Sequence, residues 1–176
     1  MFIRLIWITS FLVLAVFTAT AQLRTLPEIE KATRSEFPGA VDEFRAFLKI
    51  PNDGHYPEQI QANLEWATKA FENRGFKTQL ITTPGAPHVY AEKQFVKKGK
   101  TVLFYMQIDG QPVDASAWDQ ENPFKAELKE EKNGQWQSID WNNFNENFNP
   151  DWRIFARSAS DSKGPAMCFL TALTIL

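Results

Sequence analysis

The sequence predicts a three-layer α/β domain, incomplete on its C-terminal side. Three observations carry this. Two helical stretches come first, a mostly buried sheet with an inserted hairpin follows, and an apolar helix succeeds the last strand. The chain has 176 residues, 44% hydrophobic and 23% charged, which is enough for one ordinary domain with a real core.

The elements are expected in the following order. Pro27–Glu36 has a helical composition, and Pro38-Gly39 interrupts it. Ala40–Leu48 resumes the helix, with Val41, Phe44, Phe47 and Leu48 on one face. Pro57 opens a second helix on which Ile60, Leu64, Ala67 and Phe71 repeat at helical spacing, and Gly75 stands where a C′ glycine belongs. Phe76–Ile81 alternates as a strand, Pro84-Gly85 turns the chain, and His88–Phe95 forms a second strand. Lys97–Lys100, KKGK, reads as a solvated turn. Thr101–Met106, TVLFYM, is a continuous apolar run and is expected as a central strand covered on both faces. Asn133-Gly134, between AELKEEK and QWQSI, signals a tight hairpin. The Asn-rich Asn142–Asn149 reads as a loop, Arg153–Arg157 as a short strand, and Gly164–Leu176 as a buried helix with Pro165 in its first turn. There is no internal repeat or low-complexity tract.

Several classes are set aside by composition. Net charge is −2 and no Lys/Arg run is interleaved with aromatics, so nucleic acid is not an expected partner. Residues 1–21 read as a secretory signal peptide: Arg4 supplies the positive start, Leu5–Phe17 the apolar stretch, and Ala19-Thr20-Ala21 the small-x-small cleavage pattern. The expected location is periplasmic or extracellular, with Gln22 as the mature N-terminus and no stable membrane anchor. Cys168 is the single cysteine, so no intramolecular disulfide forms. Its neighbours Ala166, Met167, Phe169 and Leu170 suggest a buried core thiol. Leu170–Leu176 has no cap, polar tail or Gly/Pro stop, so residues 22–176 are expected to be the N-terminal part of a longer protein. Such a piece alone is expected to be poorly soluble and inactive, with uncovered sheet edges.

Chemistry concentrates at two aspartates that each follow a strand-like apolar run. Asp109 lies in Met106–Val113, MQIDGQPV, and Asp161 in Phe155–Pro165, FARSASDSKGP. In open α/β sheets ligands bind beyond strand ends, and carboxylates there are candidate metal ligands. Small residues before Asp161 (Ser158, Ala159, Ser160) allow close backbone approach. An aspartate before a helix also serves as an N-cap, and both roles are open at Asp161.

Order, spacing and flanks of these segments resemble a metallopeptidase family. It is the one containing carnosine dipeptidase, carboxypeptidase G, acetylornithine deacetylase and succinyl-diaminopimelate desuccinylase. The family's first motif, a buried strand then His-x-Asp, often followed by Gln-Pro-Val, a Trp and Pro-Phe, is matched by Gln107-Ile108-Asp109-Gly110-Gln111-Pro112-Val113, Trp118 and Pro123-Phe124. Its second, Gly/Ala-Arg-Gly/Ser-x-x-Asp-Asp-Lys-Gly-Pro, is matched by Ala156-Arg157-Ser158-Ala159-Ser160-Asp161-Ser162-Lys163-Gly164-Pro165. The resemblance runs from about Phe44 to Leu176. It implies the N-terminal part of a zinc-aminopeptidase-like catalytic domain that hydrolyses peptide or N-acyl amide bonds with two zinc ions. The implied substrate is a peptide or acylated amino acid, and later segments would supply a general base, further ligands and dimer contacts. By motif position, Asp161 would bridge the metals and Asp109 would orient a metal ligand.

Two residues depart from the pattern. Gln107 stands at the position of the ligand histidine, and its carboxamide is a neutral, weaker zinc ligand than imidazole. Ser162 replaces the second aspartate of the Asp-Asp pair. His55, in the Pro51–Pro57 loop, and His88, at a strand start, read as surface or structural residues. A catalytically impaired relative that keeps the fold as a binding protein is therefore a second reading. A third is a serine acyl-enzyme of the penicillin-binding type, since Ser160-Asp161-Ser162-Lys163 matches S-x-x-K ahead of a helix. The sequence points to no particular substrate-contacting residue.

Overall fold

The computed structural model describes residues 24–146 and 148–175. The signal-peptide reading concerns residues 1–21, outside the described residues. No described helix is long and apolar enough to cross a membrane.

Helix α1 spans Leu26–Leu48. The Glu28 carboxylate closes its first turn by accepting the Thr25 backbone N–H at 2.7 Å and the Thr25 hydroxyl at 2.8 Å. The expected break at Pro38 does not occur, and the helix runs through it. Proline removes one N–H there, but the turns that follow bury Val41, Phe47 and Leu48, and this packing holds the helical path. Helix α2, Pro57–Glu72, begins at the expected proline. It ends with Phe76 N–H bonded to Phe71 O and Gly75 N–H to Glu72 O, while Gly75 adopts φ +76°. That is a Schellman closure with the glycine at C′, as its position predicts.

Strands β1, Lys77–Ile81, and β2, His88–Glu92, form an antiparallel pair with Gln79 opposite Tyr90. Strands β3, Glu127–Lys132, β4, Gln135–Ile139, and β5, Arg153–Phe155, form an antiparallel sheet in the order β4-β3-β5. Asn133 at φ 54° and Gly134 at φ 76° make the two-residue turn between β3 and β4. The Asn-rich segment is partly helical rather than a loop: α3 spans Asn142–Glu146. The Asp140 carboxylate accepts the Asn142 N–H at 2.7 Å, and Phe144 is buried beside Val41 and Leu128. Capping and an aromatic anchor thus outweigh the low helix propensity of asparagine. Helix α4, Lys163–Ile175, follows the second motif.

The main core joins α1, α2 and α4 through Phe47, Ala70, Ala166, Met167 and Leu170, with Met106 and Ile108 packed against it. Phe47 and Trp66 stack with ring centroids 3.6 Å apart. Arg74 ties the three helices together. Its guanidinium makes a bidentate pair with Glu43 at 2.7 and 3.1 Å and donates to Ala70 O and Leu170 O. Cys168 is exposed, not buried. Ala166, Met167 and Leu170 take the inward face of α4, and position 168 falls on the other side, as a 3.6-residue period requires.

The expected central strand is the largest departure. Thr101–Met106 belongs to neither sheet, and Val102, Leu103, Phe104 and Tyr105 are 70%, 83%, 61% and 78% exposed. A strand needs a neighbour for its N–H and C=O groups. Among the described residues β1 and β2 pair only with each other, and β3 with β4 and β5. Only the end of the run, Met106, joins the core, while the Phe104 ring lies 4.7 Å from that of Phe169. The chain is thus a mixed helix-and-sheet structure, compatible with the expected α/β class, with a two-stranded and a three-stranded sheet among the described residues. An apolar segment left open in this way is adhesive. Leu103→Lys should reduce concentration-dependent association in light scattering; unchanged association would clear this segment.

Candidate active site

The two motif loops meet at the C-terminal end of α1. The first-motif residues Gln107–Gly110 lie beside the loop that follows α1. The Gly110 N–H donates to Asn52 O at 2.6 Å, and Asp53 and Gly110 form an isolated parallel bridge. The Asn52 side-chain amide donates to Ile108 O at 2.7 Å. On the other side, the Ser162 hydroxyl donates to Gln107 O at 2.6 Å. Ser158 donates to Asn52 Oδ1 at 3.0 Å. Gln107, Asp109 and Asp161 are therefore carried on adjoining loops, and all three are solvent-exposed.

The flanks of the first motif are tied to the strand that leads into the second. Asp114 caps the short turn Ala115–Ala117 by accepting from Ser116, which holds its carboxyl below the usual range. The buried Gln120 donates to Lys125 O and Phe155 O, and the Arg157 N–H donates to Pro123 O at 2.7 Å. Ser158 sits at φ 63° although it is not glycine. That conformation costs about 1–2 kcal/mol, and its buried hydroxyl bond to Asn52 offsets the cost. The Asp161–Ser162 peptide is cis.

Lys163 anchors the second motif. Its side chain is fully buried, and Nζ donates to Phe47 O at 2.9 Å and Ile50 O at 2.5 Å, 4.3 Å from the centre of the Phe47 ring. It thereby serves one C-terminal carbonyl of α1 and one of the loop that follows. Desolvation brings its pKa down to about 7. This geometry removes the serine acyl-enzyme reading, because the Lys163 amine is committed to two carbonyls in the core while Ser160 is exposed.

The hydrogen bonds that fasten the second-motif turn come from Ser158, Ser162 and Lys163. Among the described residues the Asp161 carboxylate takes no part in them, so it is not used as the helix cap. His55 is a surface residue, as expected. Its ring Nδ1 lies 2.8 Å from Asp53, whose carboxyl is lowered chiefly by the His55 backbone N–H and, against some desolvation, also by the ring. His88 begins β2, well apart in sequence from both motifs. Among the described residues no three His, Cys, Asp or Glu side chains form a group suited to a metal ion. Two carboxylates and the Gln107 carboxamide fall short of the four ligands zinc takes, so these residues alone do not make up a zinc site.

No protein-family model and no curated protein sequence matches the chain. A solved structure does. The chain shares its fold with part of the di-peptidase Dug1p of Saccharomyces cerevisiae. The TM-score is 0.66 at 18% identity, and the match covers 86% of this chain and 31% of the Dug1p chain. The chain thus spans about a third of that relative's length. At this identity the likeness establishes the fold and leaves the chemistry to the residues.

Sequence reasoning located Asp109, Gln107 and Asp161 but passed over Asn52 and the anchoring role of Lys163. The signal for Asn52 is faint: it is one of several polar residues in the Pro51–Pro57 loop, between two amphipathic helices. Its partners lie 56 and 106 residues away, where no local pattern reaches.

Proposed function

We propose that this chain carries part of the active site of an exported, metal-dependent hydrolase of peptide or N-acyl amide bonds, of the dipeptidase type. The observation that carries the reading is the Ser162 hydroxyl on the Gln107 carbonyl, which sets the two motif loops side by side. The Dug1p-like fold and the motif resemblance agree with it. In this reading Asp161 offers a free carboxylate to the cation, and Asp109 accepts a hydrogen bond from a ligand group beside it. Zinc, as two ions, is what the motif resemblance implies, and bound zinc would supply an activated water and polarise the scissile carbonyl. Remaining ligands and the general base lie outside the described residues. Export rests on residues 1–21, and N-terminal sequencing that finds Gln22 first tests it. Dimerisation through later segments belongs to the same reading.

The test is hydrolysis of dipeptides and N-acyl amino acids by the whole protein, lost to a chelator and regained with zinc. Chelator-insensitive hydrolysis, or none, would reject it. A second reading, a fold-keeping relative that binds without catalysis, is favoured by the side chains at the two departures. Gln107 brings no imidazole, and the Ser162 hydroxyl is spent on a backbone carbonyl instead of offering a charge. About two zinc ions bound per whole chain would reject this second reading, and Gln107→His probes the first departure. Restoring an imidazole should tighten zinc binding by at least about tenfold, read by chelator competition. Unchanged binding would mean that position 107 does not face the metal.

A further inference from the structure

Asn52 is 3% exposed and makes contact with both motif loops. Its Nδ2 donates to Ile108 O at 2.7 Å, its Oδ1 accepts the Ser158 hydroxyl at 3.0 Å, and its backbone O accepts the Gly110 N–H at 2.6 Å. The orientation of the amide is fixed by chemistry. A carbonyl only accepts, so the NH2 end must face Ile108, while a hydroxyl serves either end. Few short side chains present a donor and an acceptor in opposite directions. Aspartate would lose the donor and bury a charge, and alanine would leave Ile108 O without its partner. The first loop is shaped to this side chain: a Cβ on Gly110 would lie 2.8 Å from Asn52 Oδ1 and 2.9 Å from its Cγ. Ser158 adopts its left-handed backbone at the same contact.

We propose that Asn52 is a positioning residue for the hydrolytic site: its amide holds the Gln107–Gly110 loop and the Ser158–Ser162 turn at one separation, so that Asp109 and Asp161 serve a common ligand. This rests on the hydrolase reading. Asn52 touches neither substrate nor carboxylate and acts through the two loops.

The experiment uses the whole protein with Asn52→Ala, Ser158→Ala and the double variant. In dipeptide hydrolysis, Asn52→Ala should lower kcat by about 10–100-fold with KM little changed, as supporting-residue changes do. Ser158→Ala should act in the same direction, and the double variant should be no slower than Asn52→Ala, because one coupling is broken in each. Additive losses, or a fall in melting temperature with wild-type kcat, would make Asn52 merely structural. Hydrogen exchange at the Gly110 amide provides a readout independent of activity. Ser158→Ala should speed it about tenfold, because Ser158 is linked to Gly110 through Asn52. Exchange at the wild-type rate would overturn the proposal, whereas faster exchange in a protein without hydrolysis would keep the clamp and reject the hydrolase reading. Ser158→Ala also serves where Asn52→Ala does not fold.

Discussion

On the proposed hydrolase reading, Asp161→Asn is expected to lose hydrolysis by more than the roughly 100-fold that supporting residues around a metal typically cost. The fold should survive. The turn that carries Asp161 is tied down by Ser158, Ser162 and Lys163, and the Asp161 carboxylate is exposed and free of these bonds among the described residues. Exchanging carboxylate for carboxamide therefore removes a negative charge from the site without untying the turn. Asp109→Asn, at the position that the motif resemblance makes the orienting one, should cost about 10–100-fold. Rates and melting temperatures of the two variants are the measurements. A wild-type rate in Asp161→Asn would take this residue out of the chemistry. A melting temperature many degrees lower would make it a structural cap after all.

Lys163→Met is expected to change the pH dependence of stability. The free lysine side chain holds its proton up to about 10.5, whereas desolvation lowers the buried group to about 7. Between these values the unfolded chain binds more protons than the folded one, so stability rises with pH across this window. Below about 7 both states are charged, the full burial penalty is present, and the slope vanishes. The ceiling on the slope is about 1.4 kcal/mol per pH unit. The measured slope should fall below it, because two carbonyls and the Phe47 ring favour the charged amine. Methionine fills the space but donates nothing, leaving Ile50 O without its partner and Phe47 O with backbone N–H groups alone. At pH 9 the variant should be less stable by about 1–3 kcal/mol, and the gap should narrow toward pH 6. Denaturant melts across this range test the expectation. Parallel pH profiles for the two proteins would show that Lys163 does not titrate in the folded state.

Local elements were the most legible part of the chain. Pro57 and Gly75 bracket α2, Asn133-Gly134 makes the β3–β4 turn, and Pro165 sits in the first turn of α4. Each is a short-range effect, acting through φ, a missing N–H or a tolerated left-handed residue. The errors arose where distant packing overrode local preference. Pro38 did not end α1, because the buried face beyond it holds the helix. Asn142–Glu146 became helical, because Phe144 found a place in the second core. The apolar neighbours of Cys168 predict burial, but its position on the helix wheel puts it outside.

The sequence alone determined the two motif segments, and with them Asp109, Gln107 and Asp161, because residue identity and spacing are local properties. Only the tertiary structure decided what joins them. Asn52 bridges residues 108 and 158, Ser162 reaches residue 107, and Lys163 reaches the end of α1. The tertiary structure also decided that Val102–Tyr105 lies open, where the sequence predicted a covered strand. An apolar run records a tendency to be buried, but burial requires a partner surface, and partner surfaces are set by how distant segments pack.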